Sequence, residues 1–145
     1  MSAQIELLWT PTNAFEVISR IGLSRLDRDV LDVLMGLQEP GGRVVATHEV
    51  ISEGLVSRGK KARDRSSVTR SMGALRMARL VRWPDTGRGR GGVYQLNEMI
   101  SGFKHPEDIY DAIDKMPEDM RLDDPEYQAK LQTARARAGR HLRAI

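Results

Sequence analysis

RSSVTRSMGALRMARLVRW, residues 65–83, is the stretch on which the reading of the fold turns. Val68, Met72 and Leu75 recur at spacings of four and three, and Leu80 continues the apolar side, so the segment reads as a helix over about 65–80 with one face inward. Its other side carries Ser67, Thr69, Arg70, Gly73 and Arg76. Asp64 or Ser66 is the expected N-cap, because a short oxygen-bearing side chain can accept from the unpaired N–H groups of the first turn. Val81–Trp83 then reads as a strand. A glycine-rich loop bearing Arg88 and Arg90 follows, and Val93–Leu96 reads as the returning strand of a β-hairpin.

Toward the N-terminus, Ser24 is placed to cap a helix, with Asp27 at the reciprocal position of a capping box. Leu26, Val30, Leu34 and Leu37 give that helix one apolar face, and Pro40, Gly41 and Gly42 stop it. Arg43–Ala46 reads as a short strand. Thr47 then caps a second helix with Val50, Ile51 and Leu55 inward, and residues 57–63 read as a basic turn into which that helix could run on. Farther back, Gln4–Trp9 is a short apolar run. Thr12 or Asn13 caps a helix bearing Phe15, Val17, Ile18 and Ile21, which Gly22 ends. Beyond Asn97, Pro106 begins a helix with Glu107 and Asp108 in its first turn and Ile109, Ile113 and Met116 as its apolar side. Pro117 breaks it, and a last helix from about Pro125 carries Tyr127, Leu131, Ala134 and Ala138 on one stripe. The expected organisation is an N-terminal extension over 1–23, a central domain over 24–97 and a C-terminal helical extension over 98–145. The class is mainly α with a small β-hairpin.

Charge is segregated along the 145 residues. Residues 1–57 balance at −4, and residues 58–97 hold eleven Arg and Lys against Asp64 and Asp85, a balance of +9. Residues 98–126 swing to −7 and residues 127–145 to +5, so the net +3 conceals a strongly basic segment of the kind that meets a polyanion. No apolar run approaches the ~18 residues of a membrane span, and the first residues lack the pattern of a signal peptide, so a cytoplasmic protein with no membrane partner is expected. There is no cysteine, hence no disulfide, thiolate metal site or cysteine nucleophile.

Catalytic chemistry is not expected. The glycine cluster of residues 87–92 has no Gly-Lys-Ser/Thr and no helix start to receive a phosphate. Asp27, Asp29 and Asp32 read as a solvated or capping set. The acids of 107–126 lack the pattern of a calcium loop, and His48, His105 and His141 are isolated from one another. Trp83 reads as core beneath the hairpin, since its ring buries a large area. No catalytic residue, metal or cofactor is assigned.

The order helix, short strand, helix, turn, helix, hairpin resembles that of winged helix-turn-helix DNA-binding proteins. Ser66, Ser67, Val68, Thr69, Arg70, Leu75, Leu80, Val81 and Arg82 are similar to the recognition helix and wing entry of MarR-type bacterial regulators. A looser resemblance links the ending Gly92 to Asn97 with RepL-type plasmid replication proteins, from which Glu98 departs because a proline is usual there. These resemblances imply a winged helix-turn-helix with extra terminal helices that binds double-stranded DNA, most simply as a transcription regulator, alternatively as a plasmid replication initiator on origin DNA. The expected contacts are Lys60, Lys61, Arg63 and Arg65 on phosphates, Ser66, Ser67, Thr69, Arg70 and Arg76 on the recognition helix, and Arg88 and Arg90 at the wing tip. Short side chains let the helix backbone approach base edges, and Arg70 can reach a guanine bidentately. The terminal helices suggest a homodimer, and the acidic segment 107–126 a surface for a host transcription or replication protein.

Overall fold

The computed structural model describes residues 7–83 and 92–143. Among them six α-helices accompany a three-stranded antiparallel sheet. The helices are α1 (Ala14–Arg20), α2 (Arg25–Leu37), α3 (His48–Ser57), α4 (Arg65–Met77), α5 (Pro106–Lys115) and α6 (Pro125–Arg143). The strands are β1 (Arg43–Val45), β2 (Val81–Arg82) and β3 (Val93–Leu96). None of the described helices is long and apolar enough to cross a membrane.

Three helix starts follow from their capping residues. Ser24 Oγ accepts from Asp27 N at 3.1 Å, Thr47 Oγ1 from Val50 N at 3.2 Å, and Asp64 Oδ1 from Ser67 N at 2.8 Å. Asp64, not Ser66, is thus the cap of α4. Each cap satisfies one N–H that the helix itself leaves without a partner. α1 begins after Asn13 with no side-chain cap.

Two helix ends share one geometry. At the end of α3, Gly59 takes φ +77°, while Gly59 N donates to Val56 O (3.0 Å) and Lys60 N to Leu55 O (2.9 Å). This is a Schellman turn with glycine in the left-handed position, so α3 stops at Ser57 and does not run into the basic turn. α4 ends the same way: Arg79 N donates to Arg76 O and Leu80 N to Leu75 O, both at 3.0 Å. Here Arg79 stands in the left-handed position at φ +62°. The helix expected over about 65–80 therefore stops at Met77, with Leu80 folded back into the core rather than continuing the rod. The left-handed turn was hidden because no glycine marks it.

α2 lies against both α3 and α4, which widens its buried face to Val30, Leu31, Val33 and Leu34. Leu37, expected inward, is exposed, as are Val50 on α3 and Phe15 on α1. In α3 the inward stripe is Ile51 and Leu55, and in α1 it is Ala14 and Ile18, each a spacing of four that leaves Val50 and Phe15 one position off the stripe. Gly54 brings α3 close to α2: a Cβ there would come within 2.6 Å of Val33 Cγ1.

β3 is the centre of the sheet. It pairs antiparallel with β2 (Val81 opposite Leu96) and with β1 (Val44 opposite Tyr94), giving the order β1-β3-β2. Val44, Tyr94, Leu96 and Val81 turn inward. Gly92 enters β3 at φ +58°, its carbonyl accepting from Ala46 N at 2.7 Å. A Cβ at Gly92 would come within 2.8 Å of Ala46 O, so this turn admits only glycine without strain.

Residues after β3 wrap the base of this unit. Asn97 is fully buried: Nδ2 donates to Arg79 O (2.8 Å) and Met120 O (2.6 Å), and Oδ1 accepts from Met99 N (2.8 Å). Trp9 and Phe103 exchange backbone hydrogen bonds, tying the N-terminal run to the segment before α5. One apolar cluster runs from Ala14 through α2, α3 and α4 to Met120, Leu122 and Tyr127, so both terminal segments share the central core. α5 begins with Pro106 at its first position and has no fully buried residue, and Ile109 and Ile113 are only half-buried.

Candidate nucleic-acid interface

The N-terminal half of α4 leaves one side largely exposed. Arg65, Ser66, Thr69 and Arg70 are exposed, Ser67 is half-buried, and Val68, Met72 and Leu75 anchor the other side. Gly73 continues the open face, since a Cβ there would meet nothing within 4 Å. Gly73→Ala is therefore expected to stabilise the protein by about 0.5–1 kcal/mol, because alanine restricts the unfolded chain and suits a helix interior. Denaturant unfolding checks this, and a loss of stability would mean that this face is covered.

The segment before α4 is held by Ser52 of α3, whose hydroxyl donates to Arg63 O (2.8 Å) and accepts from Arg63 N (3.1 Å). Arg63 and Arg65 are thereby brought to the rim of an open groove shared with Thr47, His48 and Ser52 of the α3 start and with Tyr94 of β3. Lys60 and Lys61 lie on the neighbouring recess with Arg25, where Lys60 Nζ is 3.8 Å from Asp29 Oδ1.

Not every basic residue of the +9 segment is on this surface. Arg79 lies at the other end of α4, where its guanidinium donates to Arg121 O (3.0 Å) and Asp124 (3.2 Å) and stacks on Tyr127 at 4.5 Å. Tyr127 in turn donates to Ala78 O at 2.6 Å. Arg82 makes a two-pronged ion pair with the nearly buried Glu98. Arg76 is exposed, but its guanidinium sits 4.4 Å from the centre of the Trp83 ring. Trp83 packs edge-on against Tyr94 at 5.6 Å and is half-buried against the core. By contrast, among the described residues Lys61, Arg63, Arg65 and Arg70 are in no ion pair. Arg88 and Arg90 lie outside the described residues.

Two side chains at the site were not singled out from the sequence. His48 Nδ1 lies 3.0 Å from Thr69 Oγ1, and its Nε2 lies 3.2 Å from the Tyr94 hydroxyl. Burial, and then the charge of Arg65, hold the His48 imidazole below its ordinary value of 6.5, which favours the neutral ring. Asp64 is held below the usual carboxylate range by the Ser67 N–H and the Ser67 and Ser66 hydroxyls, with a small contribution from Arg70. The one sequence signal for His48 was its place directly after a capping threonine. The partner strand residue, Tyr94, becomes its neighbour only through the β1–β3 pairing.

No protein-family model matches the chain, and neither curated proteins nor solved structures yield a match.

Proposed function

We propose that residues 24–97 form a winged helix-turn-helix domain and that the protein binds double-stranded DNA with α4 in the major groove. The order α2-β1-α3-α4-β2-β3, with β1 joining the hairpin through β3, supports this reading. The observation that carries it is the bare outer side of α4, anchored by Val68, Met72 and Leu75 and flanked by the cations Lys61, Arg63, Arg65 and Arg70. A helix of this width fits the major groove, with its N-terminal half nearest the base edges. Arg63 and Arg65, and Lys60 and Lys61 beside them, are placed to neutralise phosphates, which sets register and affinity.

Within that class the protein is proposed to be a sequence-specific transcription regulator, acting as a homodimer on a two-fold site. The same surface would serve a plasmid replication initiator, and the position of the protected sequence, promoter or origin repeat, separates the two in a footprint.

Titration of the full chain with random-sequence duplex DNA at several salt concentrations tests the reading. Affinity is expected to fall steeply as salt rises, and Lys61→Ala to weaken binding to all sequences alike while reducing the salt slope by about one unit. Absence of salt-dependent binding would leave an adaptor that uses this fold without DNA.

A further inference from the structure

We propose that Thr69 reads a thymine through its methyl group, because its exposed hydroxyl is already committed within the protein, to the Arg65 carbonyl and to the Tyr94–His48 hydrogen-bond chain. This rests on the DNA-binding reading of α4 and adds a base preference to it.

The chain has only one consistent direction. Thr69 Oγ1 lies 2.8 Å from Arg65 O, a carbonyl that can only accept, so the single hydroxyl proton of Thr69 goes there. His48 Nδ1, 3.0 Å from the same oxygen, must then be the donor. In the neutral ring Nε2 is left as an acceptor, and the Tyr94 hydroxyl donates to it at 3.2 Å. Three elements, β3, α3 and α4, are joined by this path.

The consequence is chemical. Thr69 has no proton left to offer a base edge. Its neighbour Ser66 is in the same position, since its hydroxyl donates to Asp64 Oδ1 at 3.1 Å. The Ser67 hydroxyl is likewise engaged by Asp64, so side-chain hydrogen-bond donation from this face is left to the arginines, and what exposed Thr69 retains for a base is mainly its methyl group. In the major groove the apolar feature that matches a methyl is the C5-methyl of thymine, which no other base carries there. His48 and Tyr94 act as positioning residues: the Arg65 carbonyl takes the hydroxyl proton, and the imidazole, held by Tyr94, occupies an acceptor site of the same oxygen.

Replacing thymine by uracil in the DNA removes that methyl and nothing else, so the test leaves the protein's folding untouched. A duplex selected from a random pool by the wild-type chain would be titrated as a series in which each thymine is replaced singly by uracil. One position is expected to lose about four-fold in affinity, the equivalent of one buried methyl group. In Thr69→Ser, which keeps the hydroxyl chain and lacks the methyl, the thymine-to-uracil ratio at that position should fall to one. In Thr69→Val it should persist. The inference is overturned if every uracil substitution is neutral, or if Thr69→Ser keeps the ratio and Thr69→Val abolishes it, which would mean that the hydroxyl reads the base. Failure to recover any salt-dependent duplex would instead overturn the DNA-binding reading itself.

Discussion

Arg70→Ala is expected to weaken binding to the preferred duplex by about 1–3 kcal/mol, roughly 5- to 150-fold, and to relax the preference at a single base pair. Arg70 is exposed on the second turn of α4, on the side opposite Val68 and Met72. Among the described residues no carboxylate is ion-paired with it, so its donors are available. A guanidinium at this position presents two parallel N–H groups, which match the O6 and N7 acceptors of guanine. Affinity for random-sequence DNA should change little more than for the loss of any one cation. The contrast with Lys61→Ala is the measurement: base preference should vary in one variant and salt slope in the other. Equal loss of specific and non-specific affinity in Arg70→Ala would assign Arg70 to phosphate.

Asn97→Ala should lower folding stability by about 3 kcal/mol or more, through a loss of polar satisfaction rather than of apolar contact. The amide of Asn97 holds three backbone groups: the carbonyls of Arg79 and Met120 and the N–H of Met99. Each buried group left without a partner costs about 1–3 kcal/mol, and Asn97 itself is 0% exposed, so water has no ready access. Arg79 is already in the left-handed region, and Asn97 helps keep it there. Denaturant unfolding should show a lower midpoint with an unchanged slope. A loss below about 1 kcal/mol would show that the segment after β3 is not anchored through this side chain.

Much of the central unit was legible in the residues because its signals are local. Capping by Ser24 and Thr47, the stop at Pro40 to Gly42, the β3 limits and the apolar spacing of Val68, Met72 and Leu75 depend on a few adjacent residues and on helical or strand period. The end of α4 was misplaced because a left-handed residue is expected to be glycine, whereas Arg79 is held there by Asn97, Arg121 and Asp124 from distant segments. Period alone points Leu37 and Val50 inward, yet which part of a broad apolar face is covered depends on the neighbouring helix. At the candidate site, the exposure of Arg65, Thr69 and Arg70 followed from the pattern. The engagement of Arg82 by Glu98 and of Arg76 by Trp83 did not, since charge counts along a chain do not show which charges pair.

What the residues by themselves determined is the succession of elements and the two-sided character of α4, because both arise from interactions within one or two turns of chain. Only the tertiary structure decided that β1 joins β3, that the segment after Asn97 closes the base of α4, and that His48 meets Thr69 and Tyr94. Those contacts join residues 21 to 52 positions apart, and their geometry is set by the packing of the whole core rather than by any local preference.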